Sequence, residues 1–121
     1  MAYYDWAVPV RSLIRKLQMH NFVFLSVNDG EEDLPVISDP GSLAERNEVT
    51  EAVTSVDESY VRIGKGGKFA ILFIVLGNEP DELVCDYSYS DDELGSELDD
   101  AIDAFRDQWE GKQCPVIEEV N

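Results

Sequence analysis

Residues 69–76 read FAILFIVL, an unbroken apolar run that follows Gly66, Gly67 and Lys68 and ends at Gly77. A short apolar run between glycines is typical of a β-strand, and it is well below the roughly 18 apolar residues that a membrane-spanning helix needs. Because every position is apolar, both faces of this strand are predicted to be buried. Either the helices are split across the two faces, or a partner or a second copy of the chain covers one of them.

Two more strands are predicted beside this run. Residues 60–63 precede it across a turn at residues 65–67, where two consecutive glycines favour a hairpin. Residues 83–88 follow it after a second turn at residues 77–82. The three strands together are predicted to form an antiparallel meander.

The N-terminal half predicts a helix, a strand and a second helix. Apolar residues recur at helical spacing after Asp5, which can cap a helix. Residues 22–27 form a short apolar strand, and residues 28–41 have the clustered Gly, Pro and acidic residues of a linker. Ser42 and Glu45 match a capping box at the start of the second helix, whose β-branched residues weaken the helical signal.

Residues 91–110 carry the strongest helix signals in the chain. Ser90 and Glu93 match a capping box, and Gly111 is a typical helix terminator. The apolar stripe of this helix consists of Leu94, Leu98, Ile102, Phe105 and Trp109. The order α-β-α-β-β-β-α predicts a single α+β domain over residues 1–121, with a mainly antiparallel sheet of about four strands packed with three helices.

The chain contains 26 acidic and nine basic residues, which gives a net charge of −17. This charge repels nucleic acids and anionic lipid surfaces, so neither is an expected direct partner. The acidic excess lies in residues 29–58, with a net charge of −9, and in residues 79–121, with −13. Residues 1–28 and 59–78 are basic, at +2 and +3. Since no leader or membrane-spanning segment is evident, a cytoplasmic location is expected.

The C-terminal helix concentrates the negative charge. Residues 91–110 hold nine acidic residues and Arg106, a net charge of −8. At about 1.5 Å per residue the helix is about 30 Å long, so the spacing of about 4 Å per charge approaches the roughly 3.4 Å between phosphates along one DNA strand. The candidate partner-binding residues on this face are Glu93, Glu97, Asp100, Asp103, Asp107 and Glu110.

Two functions are compatible with this charge. In the first, the chain is a non-enzymatic protein-binding module, an acidic inhibitor or nucleic-acid mimic that occupies a basic surface of a partner such as a nucleic-acid-binding protein. Counter-defence proteins of phages and mobile elements offer an analogy at the level of charge alone. In the second, the chain is a small oligomeric structural domain, for instance a homodimer, and its acidic face serves only for solvation.

Residues typical of catalysis or metal binding are sparse. His20 is the only histidine, and the glycine-rich turn at residues 64–68 lacks the pattern of a phosphate-binding P-loop. Cys85 and Cys114 are expected to be reduced thiols, with Cys85 in the core and Cys114 at the surface. We therefore expect no catalytic residue, no metal and no cofactor.

Two further groups are candidates for contacts with a partner. Residues 31–33 form a second acidic cluster that could extend the acidic surface. Tyr3, Tyr4 and Trp6 precede the first helix, where they either fold over one edge of the core or anchor a partner.

Overall fold

The computed structural model describes residues 3–117. Its elements, in chain order, are β1 (Tyr3–Tyr4), α1 (Ala7–Met19), β2 (Val23–Asn28), β3 (Asp33–Pro35), α2 (Leu43–Thr54), β4 (Glu58–Lys65), β5 (Lys68–Val75), β6 (Val84–Tyr89), α3 (Asp92–Trp109) and β7 (Val116–Ile117). A short 3-10 helix, Pro80–Glu82, lies before β6. The predicted α+β fold with its three helices is confirmed for the described part of the chain.

Five of the strands form an antiparallel sheet in the order β3-β2-β4-β5-β6. The predicted meander is its β4-β5-β6 portion. Gly66 and Gly67 have φ angles of 59° and 80°, the left-handed backbone that a two-residue hairpin turn requires. They join β4 to β5, whose last pair is Lys65 with Lys68.

The strand of the sheet that was not predicted is β3, which lies inside the linker-like segment 28–41. The Asp29 carboxylate accepts hydrogen bonds from the backbone N–H groups of Glu31 (2.9 Å) and Glu32 (2.8 Å). These bonds form a tight turn that brings Asp33 opposite Asn28. Because β3 has three residues, it is too short to show an alternating apolar pattern, and the sequence therefore underestimates the sheet by one strand.

The start of α3 differs from the predicted capping box. The cap is Asp91, whose carboxylate accepts a hydrogen bond from the backbone N–H of Leu94 (3.0 Å). Ser90 belongs to the sheet instead, since its hydroxyl accepts a hydrogen bond from the backbone N–H of Phe69 (3.0 Å). The predicted terminator is confirmed, because Gly111 has a φ of 72° directly after the helix.

The capping box predicted for the start of α2 requires two reciprocal hydrogen bonds between Ser42 and Glu45, and one of them is formed. The Ser42 hydroxyl accepts a hydrogen bond from the backbone N–H of Glu45 (3.0 Å). The Glu45 carboxylate, which is fully buried, accepts from Gln18 Nε2 (2.9 Å) and from the backbone N–H groups of Gly41 (2.9 Å) and Phe24 (3.4 Å). It therefore joins α1, α2 and β2 rather than closing a capping box.

All three helices of the described chain pack on one face of the sheet. One core cluster joins the buried residues of α1, α2 and α3 to side chains such as Val61 of β4 and Leu72 of β5, both 0% exposed. The alternate positions face away from the helices, where Tyr60 is 50% and Phe69 is 53% exposed. The prediction that both faces of residues 69–76 are buried is therefore wrong within a single chain.

The structure reverses the predicted positions of the two cysteines. The register of β6 shifts opposite residues 73–74, so the alternation of side chains is interrupted and Cys85 is exposed. Cys114 is buried, and this burial raises the pKa of its thiol.

The two ends of the described chain are adjacent, because β1 pairs with β7. Trp6 packs against the core while Tyr4 is 65% exposed, so one aromatic covers the edge of the core and the other does not. The side chain of Tyr3 lies outside the described part. Within residues 3–117 no helix combines the length and apolarity needed to cross a bilayer.

Candidate protein-binding surface

The buried side of α3 determines which of its side chains face solvent. The buried residues are Leu94, Gly95, Leu98, Ala101, Ile102, Phe105 and Trp109, which include the whole predicted stripe. Because consecutive helical residues are 100° apart, the acidic residues opposite this stripe point outward. Four of the predicted partner-binding residues are exposed there, and we call them the acidic row: Glu93, Asp100, Asp103 and Asp107.

The other two predicted residues differ from the row. Glu97 is half-buried and forms an ion pair with Lys65, whose Nζ is 2.8 Å from its Oε2. Glu110 is exposed, but it follows the last residue of α3 and has left the helical backbone conformation. Glu97 therefore contributes to joining α3 to β4, and Glu110 extends the negative surface beyond the end of the helix.

A second lysine from the same hairpin neutralises the start of α3. Lys68 Nζ donates a hydrogen bond to Asp91 (2.9 Å) and lies 3.8 Å from Glu93 Oε2. The hydrogen bond from Lys68 and that from the Leu94 backbone lower the pKa of Asp91, and the same contact with Asp91 raises the pKa of Lys68. Glu93 itself remains 88% exposed.

Asp99, on the flank of α3 that faces β6, is also used within the fold. Tyr87 donates a hydrogen bond from its hydroxyl to the Asp99 carboxylate. Burial of the Tyr87 ring, reinforced by this bond, raises the pKa of Tyr87 to about 12. Nearby, Arg106 Nη2 donates to the backbone carbonyl of Val84 (3.0 Å), which ties α3 to the same strand.

These contacts reduce the charge that α3 presents to a partner. Lys65 and Lys68 change the local net charge from −8 to −6, which is one charge per about 5 Å over a helix of about 30 Å. This density is lower than that of a DNA strand, although the remaining charge is concentrated in the acidic row. The sequence did not indicate this neutralisation, because the lysines are distant from α3 along the chain.

The sheet face opposite the helices is a second candidate surface. We call it the open sheet face; its central side chains are Tyr60, Arg62, Phe69, Ile71 and Phe73 of β4 and β5. The Tyr60 and Phe73 rings stack with their centroids 4.8 Å apart. A depression of about 600 Å³ crosses this face between Pro35 on β3 and Ser88 on β6. In the sequence, the open sheet face is indicated by the apolar run at residues 69–76.

Four of the other cations form a basic patch on α1 and α2. Arg11, Arg15, Lys16 and Arg46 line one shallow depression together with the exposed Met19. None of these four cations forms an ion pair with another residue in the range 3–117. The charge polarity expected from the sequence is therefore present on the surface, although Lys65 and Lys68 are bound to α3.

The candidate chemical groups of the chain are dispersed. His20 lies at the end of α1, Cys85 on β6 and Cys114 near the C-terminal end of the described chain. Within residues 3–117 no three His, Cys, Asp or Glu side chains are grouped so that they could hold a metal ion. Comparisons with protein-family models, with curated proteins and with solved structures found no match to this chain.

Proposed function

We propose that this chain is a non-enzymatic protein-binding module that presents the acidic row of α3 to a basic surface of a partner protein. The partner we propose is a nucleic-acid-binding protein, which the chain inhibits by occupying its basic surface. The observation that supports this proposal most directly is the acidic row, which places four exposed carboxylates on one helix. Among the described residues, their one ion pair is the 3.8 Å contact of Glu93 with Lys68.

The way α3 is held supports this proposal. Its apolar side is buried along the whole helix, and Lys65, Lys68 and Arg106 connect it to β4, β5 and β6. The carboxylates are therefore presented with little freedom of the backbone that carries them. Fixed charges of one sign accelerate association with an oppositely charged surface and select against acidic partners.

The proposal is tested by neutralising the acidic row with near-isosteric amides. The variant Glu93→Gln, Asp100→Asn, Asp103→Asn, Asp107→Asn keeps the size of each side chain and removes four charges. Immobilised wild-type protein should capture a basic protein from native lysate at low salt, release it at high salt, and lose it to competing duplex DNA. The neutralised variant should capture at least tenfold less of that protein.

A matched control removes the same number of charges elsewhere. Glu51, Asp57, Glu79 and Glu82 are exposed, and their carboxylates form no hydrogen bond or ion pair within residues 3–117. Converting these four to amides should leave capture unchanged. Equal loss in both variants would show that only net charge matters, and undiminished capture by the row variant would refute the proposal.

Inhibition is tested separately from capture. The captured protein, once purified, should lose nucleic-acid binding when equimolar wild-type chain is added, and it should retain this binding in the presence of the row variant. A captured protein that binds nucleic acid equally well with and without the chain would contradict an inhibitory role.

A further inference from the structure

The basic patch has no carboxylate partner within residues 3–117, although the chain contains 26 acidic residues. Arg46 Nε donates a hydrogen bond to Gln18 Oε1 (3.0 Å), and Arg11 Nη2 donates one to Asn47 Oδ1 (3.4 Å). Both acceptors are neutral amide oxygens, which orient a guanidinium group without cancelling its charge. The patch therefore presents oriented cations whose charge is available to an external anion.

The exposed side of α1 combines two of these cations with apolar side chains. Val8, Arg11, Arg15 and Met19 recur at helical spacing, so they form one stripe along the helix. All four are exposed, Val8 at 39% and Met19 at 70%. They line the same depression of about 470 Å³, which extends to Arg46 on α2. Arginine and methionine are both enriched at protein–protein interfaces, so this composition favours a peptide ligand.

The two arginines of the stripe repel each other in the isolated chain. Arg11 and Arg15 are one helical turn apart, and like charges at this spacing weaken a helix. The sequence of α1 contains no acidic residue, so no side chain of the helix itself offsets this repulsion. A bound anion between the two guanidinium groups would offset it.

The surroundings of the patch restrict the class of anion. Gln108 borders the depression, and Asp107 of the acidic row precedes it on α3. A nucleic acid or an anionic membrane would extend beyond the patch and be repelled by the row and by the net charge of −17. A short segment avoids this repulsion. Inorganic phosphate would leave Val8 and Met19 uncovered, whereas a peptide with apolar side chains would cover them.

The length of the stripe sets the length of the ligand. From Val8 to Met19 the helix rises about 16 Å at ~1.5 Å per residue, and an extended segment of about five residues covers this distance. We propose that the basic patch binds a short acidic peptide segment, with carboxylates on its cations and an apolar side chain at each end, on Val8 and Met19. This site is separate from the acidic row and does not depend on the function proposed for it.

Heteronuclear NMR on the full chain tests this proposal, because it detects and locates weak binding. The probe is the end-blocked peptide Leu-Glu-Glu-Glu-Leu, added to isotope-labelled wild-type protein at about 0.01 M salt. Amide signals of α1 and of Arg46 should shift, with a dissociation constant of about 1 mM or below. Leu-Gln-Gln-Gln-Leu should bind at least tenfold more weakly, because it lacks the charges. Ser-Glu-Glu-Glu-Ser should bind at least threefold more weakly, because it lacks the apolar ends.

Arg15→Glu reverses the charge in the middle of the stripe and should weaken binding of the probe at least tenfold. Arg15 is exposed and forms no ion pair within residues 3–117, so the variant should keep its fold, which the same spectra check. Lys112→Glu is the matched control, since Lys112 is exposed and lies beyond α3. Each reversal removes one positive charge and adds one negative charge, which changes the net charge from −17 to −19. The control should bind the probe like the wild type.

Three outcomes would overturn the proposal. The first is a spectrum of α1 that the probe leaves unchanged, and the second is equal weakening by both variants, which would mean that only net charge matters. The third is inorganic phosphate, or an oligonucleotide of matched charge, that shifts the same amides at a lower concentration than the probe does. Since no partner protein is used and both variants keep the acidic row, these outcomes are distinguishable from failure of the proposed inhibitory function.

Discussion

Gly95 lies where α3 passes over the ring of Tyr89 at the end of β6. A Cβ at position 95 would lie 2.6 Å from Tyr89 Cδ2, closer than side chains tolerate. Alanine is normally the better helix residue by about 1 kcal/mol. We expect the opposite at this position: Gly95→Ala should lower the free energy of unfolding by about 1–3 kcal/mol, because the ring or the helix must move.

A double-mutant cycle measured by urea unfolding checks the cause. In a Tyr89→Ala background the clash is absent, so Gly95→Ala should become neutral or stabilising by up to about 1 kcal/mol. Equal destabilisation in both backgrounds would mean that contacts other than Tyr89 exclude a side chain at position 95.

Individual residues were the least predictable part of this protein. Ser90 and Asp91 both have the chemistry of a helix cap, and the choice between them depends on a sheet bond from Phe69 that is remote in sequence. Simple alternation of side chains along β6 would point Cys85 toward the core, but the bulge in β6 leaves it exposed. In both cases a non-local strand pairing overrides a correct local pattern.

At the scale of elements, the β4-β5 hairpin and α3 are connected by charge. Asp91 has a lowered pKa in the folded state, mainly because of the hydrogen bond from Lys68. A carboxyl with a lowered folded pKa stabilises the fold above its ordinary value of about 3.8, and this contribution is lost as the pH falls through the folded pKa. Lys68→Met should therefore move the acid-unfolding midpoint to higher pH.

The shift should be small, because both groups are exposed and because the Leu94 backbone N–H still binds Asp91 in the variant. Lys112→Met removes the same charge from an exposed position outside α3 and serves as the control. Circular dichroism between about pH 5 and pH 1 covers the window in which such a contribution disappears. Identical midpoints for Lys68→Met and Lys112→Met would show that the Lys68–Asp91 pair adds nothing to acid resistance.

Periodicity predicted the elements well wherever they are long. The helix at residues 91–110 and the meander were both found, because their apolar patterns extend over many residues. The three-residue strand β3 was missed, since it depends on a turn formed by Asp29 and on pairing with β2. For the candidate site, periodicity predicted that the acidic row points outward. It could not predict the ion pair of Glu97 with Lys65, which joins residues distant in the sequence.

The whole molecule has two dissimilar sides. One side is the helical layer, with the acidic row on α3 and the basic patch on α1 and α2; the other is the open sheet face, with Arg62 among aromatic and aliphatic side chains. The two hypotheses suggested by the sequence, an acidic binding surface and an oligomer, therefore concern different sides. The two hypotheses do not exclude each other, because association through the sheet would leave the helical layers accessible.

The charge of the whole chain should make the fold less stable at low salt. A net charge of −17 with three ion pairs, formed by two lysines, within residues 3–117 implies that repulsion outweighs attraction. Raising the salt from about 0.01 M to 0.15 M shortens the Debye length from about 30 Å to 8 Å. The melting temperature of the wild type should therefore rise over this range.

The variant with amides at all four positions of the acidic row has a net charge of −13 and should melt higher than the wild type at low salt, with a weaker salt dependence. Scanning calorimetry at fixed protein concentration, with the salt varied, measures both effects. If the row destabilises the isolated chain in this way, its carboxylates oppose folding, as expected of residues whose favourable contacts form only in a complex. Equal melting temperatures for the variant and the wild type at low salt would mean that the row carries no such cost, and solvation would then suffice to account for its charge.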